Sequence, residues 1–193
     1  MEKEVEPELA RLLDARDAGD HDLLLDALRA GDEWAPTAAR LLAGLDERRA
    51  VPLLVEHLDA ERGNLRVASI RALSALGPPL GARERLTAIA LDDPLPSCRE
   101  WAALALGRYG GPEVAQLLLV MLDDPHPAVR LGAARGLVAI GDPAFAEPID
   151  LARPRFLRQP GRWLADRRIW RRLLRELAEA GAGAAAGPGD PPA

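Results

Sequence analysis

An arginine followed eleven residues later by a glycine recurs three times along this chain, as Arg66 and Gly77, Arg99 and Gly110, and Arg130 and Gly141. The arginines stand 33 and 31 residues apart, and Asp93-Pro94 and Asp124-Pro125 each place an aspartate six residues before one of them. A fixed period of this length means that one supersecondary unit is repeated and stacked, a stronger constraint than any local propensity. The unit is clearest between Asp124 and Gly141. Pro125 and Pro127 rigidify a turn and bias the residues before them away from helix. Val129, Ala133, Leu137 and Ile140 then recur on one helical face, and Gly141 can end the helix in the left-handed conformation. A worn copy lies upstream. There Trp34, Ala38, Leu42 and Leu45 keep the apolar face, while Ala35 replaces the arginine and Asp46 the glycine.

Helices are expected throughout, at about 4–17, from an Asp20 N-cap to Gly31, at 34–45, 48–58, 64–76, 82–91, 96–109, 112–122 and 127–140, and from Arg162 to about Ala180. Alanine and leucine abound and aromatics make up only 4% of the chain, a composition that favours helix over strand. The short connections suit packed antiparallel helices. One helix pair cannot bury its apolar stripe alone, but a stack of pairs can. The expected fold is therefore all-α, a right-handed superhelical α-solenoid of about four helix pairs with a C-terminal capping helix. Residues 1–180 are expected to form this single solenoid, with repeats at about 20–46, 47–78, 79–111 and 112–142, and a basic linker and capping helix at 153–180. The Gly/Ala/Pro-rich residues 181–193 are expected to form a disordered tail.

The pattern Asp124-Pro125-x-Pro127-x-Val129-Arg130-x-x-Ala133-Ala134-x-x-Leu137-x-x-Ile140-Gly141 resembles the HEAT repeat in its short PBS-lyase HEAT-like form, over roughly residues 20–150. The resemblance implies that the aspartate before each second helix and the arginine within it form a ladder between neighbouring repeats. Arg66, Asp93, Arg99, Asp124 and Arg130 match those positions, and Asp59 stands one residue out of register. The family includes scaffolds, bilin lyase subunits, a DNA glycosylase lineage and deoxyhypusine hydroxylase, so it implies a fold more than a function.

No catalytic constellation is visible. His21, His57 and His126 are scattered, and no histidine–glutamate dipeptide is present, so the paired ligands of deoxyhypusine hydroxylase are missing. His126 reads as a turn residue. The single cysteine, Cys98, cannot form an intrachain disulfide and aligns with buried positions of the other repeats. Gly107, Gly110 and Gly111 read as helix-end punctuation. No enzyme activity, metal or cofactor is expected. The N-terminus has no secretory character, and no apolar run suffices to span a bilayer. A reducing, cytoplasmic setting without membrane contact is the expectation.

Candidate binding residues follow from the repeat phase. On the second helices, Pro36, Arg40 and Ala43, then Val67, Arg71 and Ser74, then Glu100, Leu104 and Gly107, then Leu131, Arg135 and Val138 should face away from the partner helix, toward the concave side. Arg40, Arg71 and Arg135 recur there among small or apolar residues. Trp101 stands where other repeats carry Thr37, Ala68 and Gly132, so its ring either fills a gap between repeats or projects into the groove. Together Arg40, Arg71, Trp101, Leu104 and Arg135 make a candidate partner-binding surface of residue types common at hot spots.

Charge is divided unevenly. Residues 1–152 carry 16 basic and 26 acidic side chains, whereas residues 153–193 carry 9 and 4. In the C-terminal helix Trp163, Trp170, Leu173, Leu174 and Leu177 share one face. Arg162, Arg167, Arg168, Arg171, Arg172 and Arg175 flank it, either as the polar outside of a cap or as a surface for an anionic partner. The leading expectation is a non-enzymatic scaffold or adaptor that binds another protein along the concave face. A nucleic-acid-binding role through the arginine-rich C-terminal segment is the alternative, disfavoured by the acidic charge of residues 1–152. An accessory or chaperone-like subunit of a lyase-type enzyme is a further alternative.

Overall fold

A computed structural model describes residues 6–152 and 163–185. All regular structure among them is helical. Helix α1 spans Pro7–Ala18, α2 His21–Ala30, α3 Ala35–Gly44, α4 Val51–Glu56, α5 Gly63–Leu76, α6 Arg83–Asp92, α7 Pro96–Gly107, α8 Pro112–Met121, α9 Pro127–Ile140, α10 Ala146–Ala152 and α11 Trp163–Ala185. Short 3-10 turns flank α4 at Arg48–Ala50 and His57–Asp59, so the helix expected over 48–58 is broken into three pieces.

Local chemistry sets these boundaries. Asp20 caps α2 by accepting the Leu23 N–H at 3.1 Å. Pro7, Pro96, Pro112 and Pro127 open their helices, where a missing N–H costs nothing. The worn repeat has to close without glycine, and Asp46 takes the left-handed conformation instead, at φ 52. Beside it the Glu47 N–H reaches back to the Leu42 carbonyl at 3.0 Å, as in a Schellman ending.

The pairs α2/α3, α4/α5, α6/α7 and α8/α9 stack in order. The second helices α3, α5, α7 and α9 pack directly on one another, while the successive first helices α2, α4, α6 and α8 meet only marginally. A stack tight along one row and loose along the other curves toward the tight row, so the second helices form the inner face of the solenoid. Leucine and alanine supply a continuous core, from Leu12 in α1 through Leu28, Leu42, Leu54, Leu73, Leu86, Leu106, Leu118 and Leu137.

After α9 the described chain adds a short helix that no sequence periodicity marks. Helix α10 buries Ile149 and Ala152, and Phe145 in the turn before it is buried too. Helix α11 packs against α9 and α10 and buries Trp170, Leu173 and Leu177, with Leu174 half-buried. Trp170, Leu173, Leu174 and Leu177 of the expected apolar face thus pack as a cap. Helix α11 continues to Ala185 rather than ending near Ala180, which moves the expected start of the tail. The expected linker, including Arg162, and residues 186–193 lie outside the described residues, as do the side chains of Trp163 and Arg167.

The interrepeat ladder is present. Arg66 grips Asp93 of the next repeat with two bonds, Nε to Oδ2 at 2.9 Å and Nη2 to Oδ1 at 3.1 Å. Its Nη1 donates back to the Ala60 carbonyl of its own turn at 2.7 Å. Arg99 repeats the arrangement, reaching Asp124 at 3.1 and 3.3 Å and the Asp93 carbonyl at 2.9 Å. Arg130 donates to the Asp124 carbonyl at 2.7 Å. Each aspartate also accepts a backbone N–H two residues on, from Leu95 at 2.8 Å and His126 at 2.7 Å. Burial pushes the Asp93 carboxyl up, but the bonds from Arg66 and the Leu95 N–H outweigh it and hold the group below its ordinary range.

Asp59 does not join this ladder. It pairs with Arg85 on α6, because Ala35 leaves the preceding repeat with no arginine to offer it. The first two pairs are joined differently, by Arg49, which bonds both Asp22 at 2.7 Å and Glu47 at 2.9 Å. Bonds from the Arg49 side chain and N–H, together with His21, hold the Glu47 carboxyl down at about 2.

Candidate interaction groove

The inner row carries a sizeable groove among the described residues. Between α3, α5 and the start of α7 lies a groove of about 560 Å³. Helix α3 contributes Pro36, Thr37, Arg40, Ala43 and Gly44; α5 contributes Gly63, Asn64, Val67, Ala68, Arg71, Ala72 and Ala75; Leu95, Pro96 and Ser97 close it. Apart from Arg40 and Arg71 the lining is neutral and mostly small, and no carboxylate lines it. The repeat phase explains this composition. Positions facing the groove are spared from the core, yet they must be small wherever neighbouring inner helices approach.

Arg40 and Arg71 are both exposed, as the sequence predicts. The Arg71 guanidinium lies over the Trp101 ring, 4.6 Å from its centroid. Trp101 is half-buried and packs against the core, so its ring both fills space between repeats and presents a face to Arg71. Of the two readings left open by the sequence, the packing role is the one seen: Trp101 does not line the groove and reaches it only through Arg71. Leu104 is half-buried on α7, at the same register as the arginines.

Arg135 is separated from this cluster. It is half-buried on α9 and does not line the groove. The reason is the close approach of α7 and α9. A Cβ built on Gly132 would lie 2.4 Å from the Glu100 carbonyl oxygen, and one on Gly136 2.7 Å from that of Ala103. One on Gly107 would lie 2.5 Å from the Gly136 Cα. Gly107 is thus a buried contact point rather than an outward-facing residue or simple helix-end punctuation, and Ser74, in the same register, is buried as well. Three glycines close the α7/α9 gap, whereas the groove opens between α3, α5 and the start of α7. Gly132 and Gly136 are a small-xxx-small pair on the inner helix, and that spacing was the signal available in the sequence.

Glu100 on α7 is half-buried and feels the charges of both Arg71 and Arg135. Burial pushes its carboxyl above the ordinary range, and the nearby charges of Arg135 and Arg71 oppose this without cancelling it. Elsewhere the candidate chemistry is structural. Cys98 is fully buried, and its thiol is pushed up to about 11, foremost by burial and then by Asp93. His126 caps α9 by accepting the Ala128 N–H at 3.3 Å. Among the described residues there is no group of three His, Cys, Asp or Glu side chains placed to hold a metal ion, and no helix long and apolar enough to cross a membrane. On α11, Arg168, Arg171, Arg172 and Arg175 are exposed beside the cap, and Arg172 bonds Glu176 at 2.6 Å.

Stacked helix pairs, an arginine–aspartate ladder and an inner groove define an α-solenoid of the helical-repeat class. The chain belongs to the HEAT repeats, whose family model matches it at residues 21–104 and again at 83–153. A crystal structure of an engineered protein is similar, with a TM-score of 0.58 and 20% identity over 89% of this chain and 84% of that one. At that identity the likeness is one of fold. No curated protein matches the chain.

Proposed function

We propose that this HEAT-repeat solenoid is a non-enzymatic interaction module that binds another protein along its inner helices, with α3, α5 and α7 as the centre of the interface. The observation that carries this reading is the groove itself: a concave, mostly apolar surface with two exposed arginines, one of them stacked on a tryptophan. Apolar walls with a few oriented polar anchors are the usual composition of a recognition site.

Affinity capture from the native cell tests the reading. Partners retained by the unaltered chain are expected to be lost with Arg40→Glu/Arg71→Glu and kept with Arg168→Glu/Arg172→Glu, which alters only the cap. Undiminished capture by the folded groove variant would falsify it.

A further inference from the structure

The charges in the groove say what kind of segment would bind there, given that the groove is the partner site proposed above. The described part of this acidic chain pairs many of its arginines with carboxylates, among them Arg49, Arg66, Arg85 and Arg99. Arg40 and Arg71 are among those that are not so paired, and they are the two that line the groove. Among the described residues Arg40 makes no hydrogen bond or ion pair, and Arg71 has its stacking on Trp101 and the field of Glu100, but no carboxylate within bonding distance. Arg135 shares their register but does not line the groove. Two cations without ion-pair partners thus face one neutral groove from equivalent positions on adjacent helices, each five residues past the ladder position.

Helices α3 and α5 pack on each other, and the spacing general to packed helices narrows the occupant further. Packed helices lie about 8–10 Å apart. A polyproline II segment rises about 3.1 Å per residue with three residues per turn, so its residues i and i+3 share a face about 9 Å apart. A β-strand puts alternate residues on one face at about 7 Å, a poorer match to that spacing. The rest of the groove lining includes Val67, Ala68, Leu95 and Pro96, small or apolar surfaces against which proline rings pack without leaving a polar group unpaired. We propose that the groove recognises an extended, proline-rich acidic segment of a partner protein, with two carboxylates three residues apart, one for Arg40 and one for Arg71. Trp101 holds the Arg71 guanidinium in place beforehand, so less side-chain freedom is lost on binding.

Fluorescence anisotropy with labelled, end-blocked peptides tests this in the full chain. The probe contains Glu-Pro-Pro-Glu; its controls carry one or three prolines between the glutamates, or glutamine for both glutamates. Each charge-assisted contact is worth about tenfold in affinity. The glutamine peptide is therefore expected to bind at least that much more weakly, with the altered spacings intermediate. Arg40→Gln and Arg71→Gln, exposed substitutions checked for folding by circular dichroism, should each weaken the probe by about tenfold. Arg135→Gln should leave it unchanged, and Arg40→Glu/Arg71→Glu should instead prefer Lys-Pro-Pro-Lys. The proposal is overturned by equal binding of the glutamine peptide, by indifference to spacing, or by failure of every acidic peptide to bind. It is also overturned if an oligothymidylate binds with the same arginine dependence while the peptides do not. If the peptides fail but cellular capture still depends on Arg40 and Arg71, the groove remains a protein interface and only its acidic specificity is wrong.

Discussion

The guanidinium carbon of Arg71 lies 4.6 Å from the centroid of the Trp101 ring, joining α5 of one repeat to α7 of the next. The contact turns a flexible side chain into an oriented one at the edge of the groove. A double-mutant cycle of Arg71→Ala and Trp101→Ala, read by urea unfolding, should give a coupling energy of about 0.5–1 kcal/mol. Trp101→Ala alone should cost more, about 2 kcal/mol, because the half-buried ring also packs on the core. Equal and additive single effects would show that the contact carries no energy.

The ladder makes a pH-dependent prediction. The Asp93 carboxyl is held below its ordinary value in the folded chain, so its contribution is fully present above the unfolded value of about 4 and is lost as pH falls through the lower folded value. Asp93→Asn should cost about 2–3 kcal/mol at neutral pH, since it leaves the largely buried Arg66 without its counter-charge. The penalty should shrink in acid, where the native carboxyl is protonated as well. Glu47 titrates in the same direction and retains part of the acid slope in the variant, whereas Glu100, raised by burial, acts in the opposite sense. Urea midpoints between neutral pH and strong acid measure all three, and a penalty that is constant with pH would refute the assignment.

Asp46 closes the worn repeat with a positive φ of 52, where three later repeats carry glycine. Asp46→Gly should raise stability by about 0.5–1 kcal/mol, because glycine adopts this conformation without a Cβ clash. The exposed Arg48 pair that the change removes, at 3.7 Å, is too weak to offset this. A lower thermal midpoint for the variant would mean that the aspartate side chain has a role beyond closing the helix.

Gly132→Ala should behave in the opposite way to an ordinary helix substitution. Replacing glycine by alanine within a helix usually gains up to about 1 kcal/mol. Here the added Cβ meets backbone at 2.4 Å, so α9 must move off α7, at a cost of about 2–3 kcal/mol. Gly44→Ala is the internal control, since nothing lies within 4 Å of a Cβ at that position. Similar effects at the two sites would show that the close packing of α7 and α9 is not constrained.

The period of the sequence by itself determined the repeat unit and the main buried stripe of the second helices, and the resemblance it carries implied the partners of Arg66 and Arg99. These are readable because helical periodicity and repeat register are local properties, copied from one unit to the next. It also placed Arg40 and Arg71 on the open side of the inner row. Tertiary structure alone decided how far apart the inner helices stand. Gly107, Gly132 and Gly136 draw α9 onto α7, which excludes Arg135 from the groove, while the α3/α5/α7 side stays open around Arg40 and Arg71. It also gave Asp59 a partner outside the ladder and made α10 and Phe145 part of the cap. Seven residues carry too little periodicity to announce a helix such as α10. Interhelical distance, in turn, depends on which side chains meet across a gap, a property of pairs distant in sequence that no single repeat records.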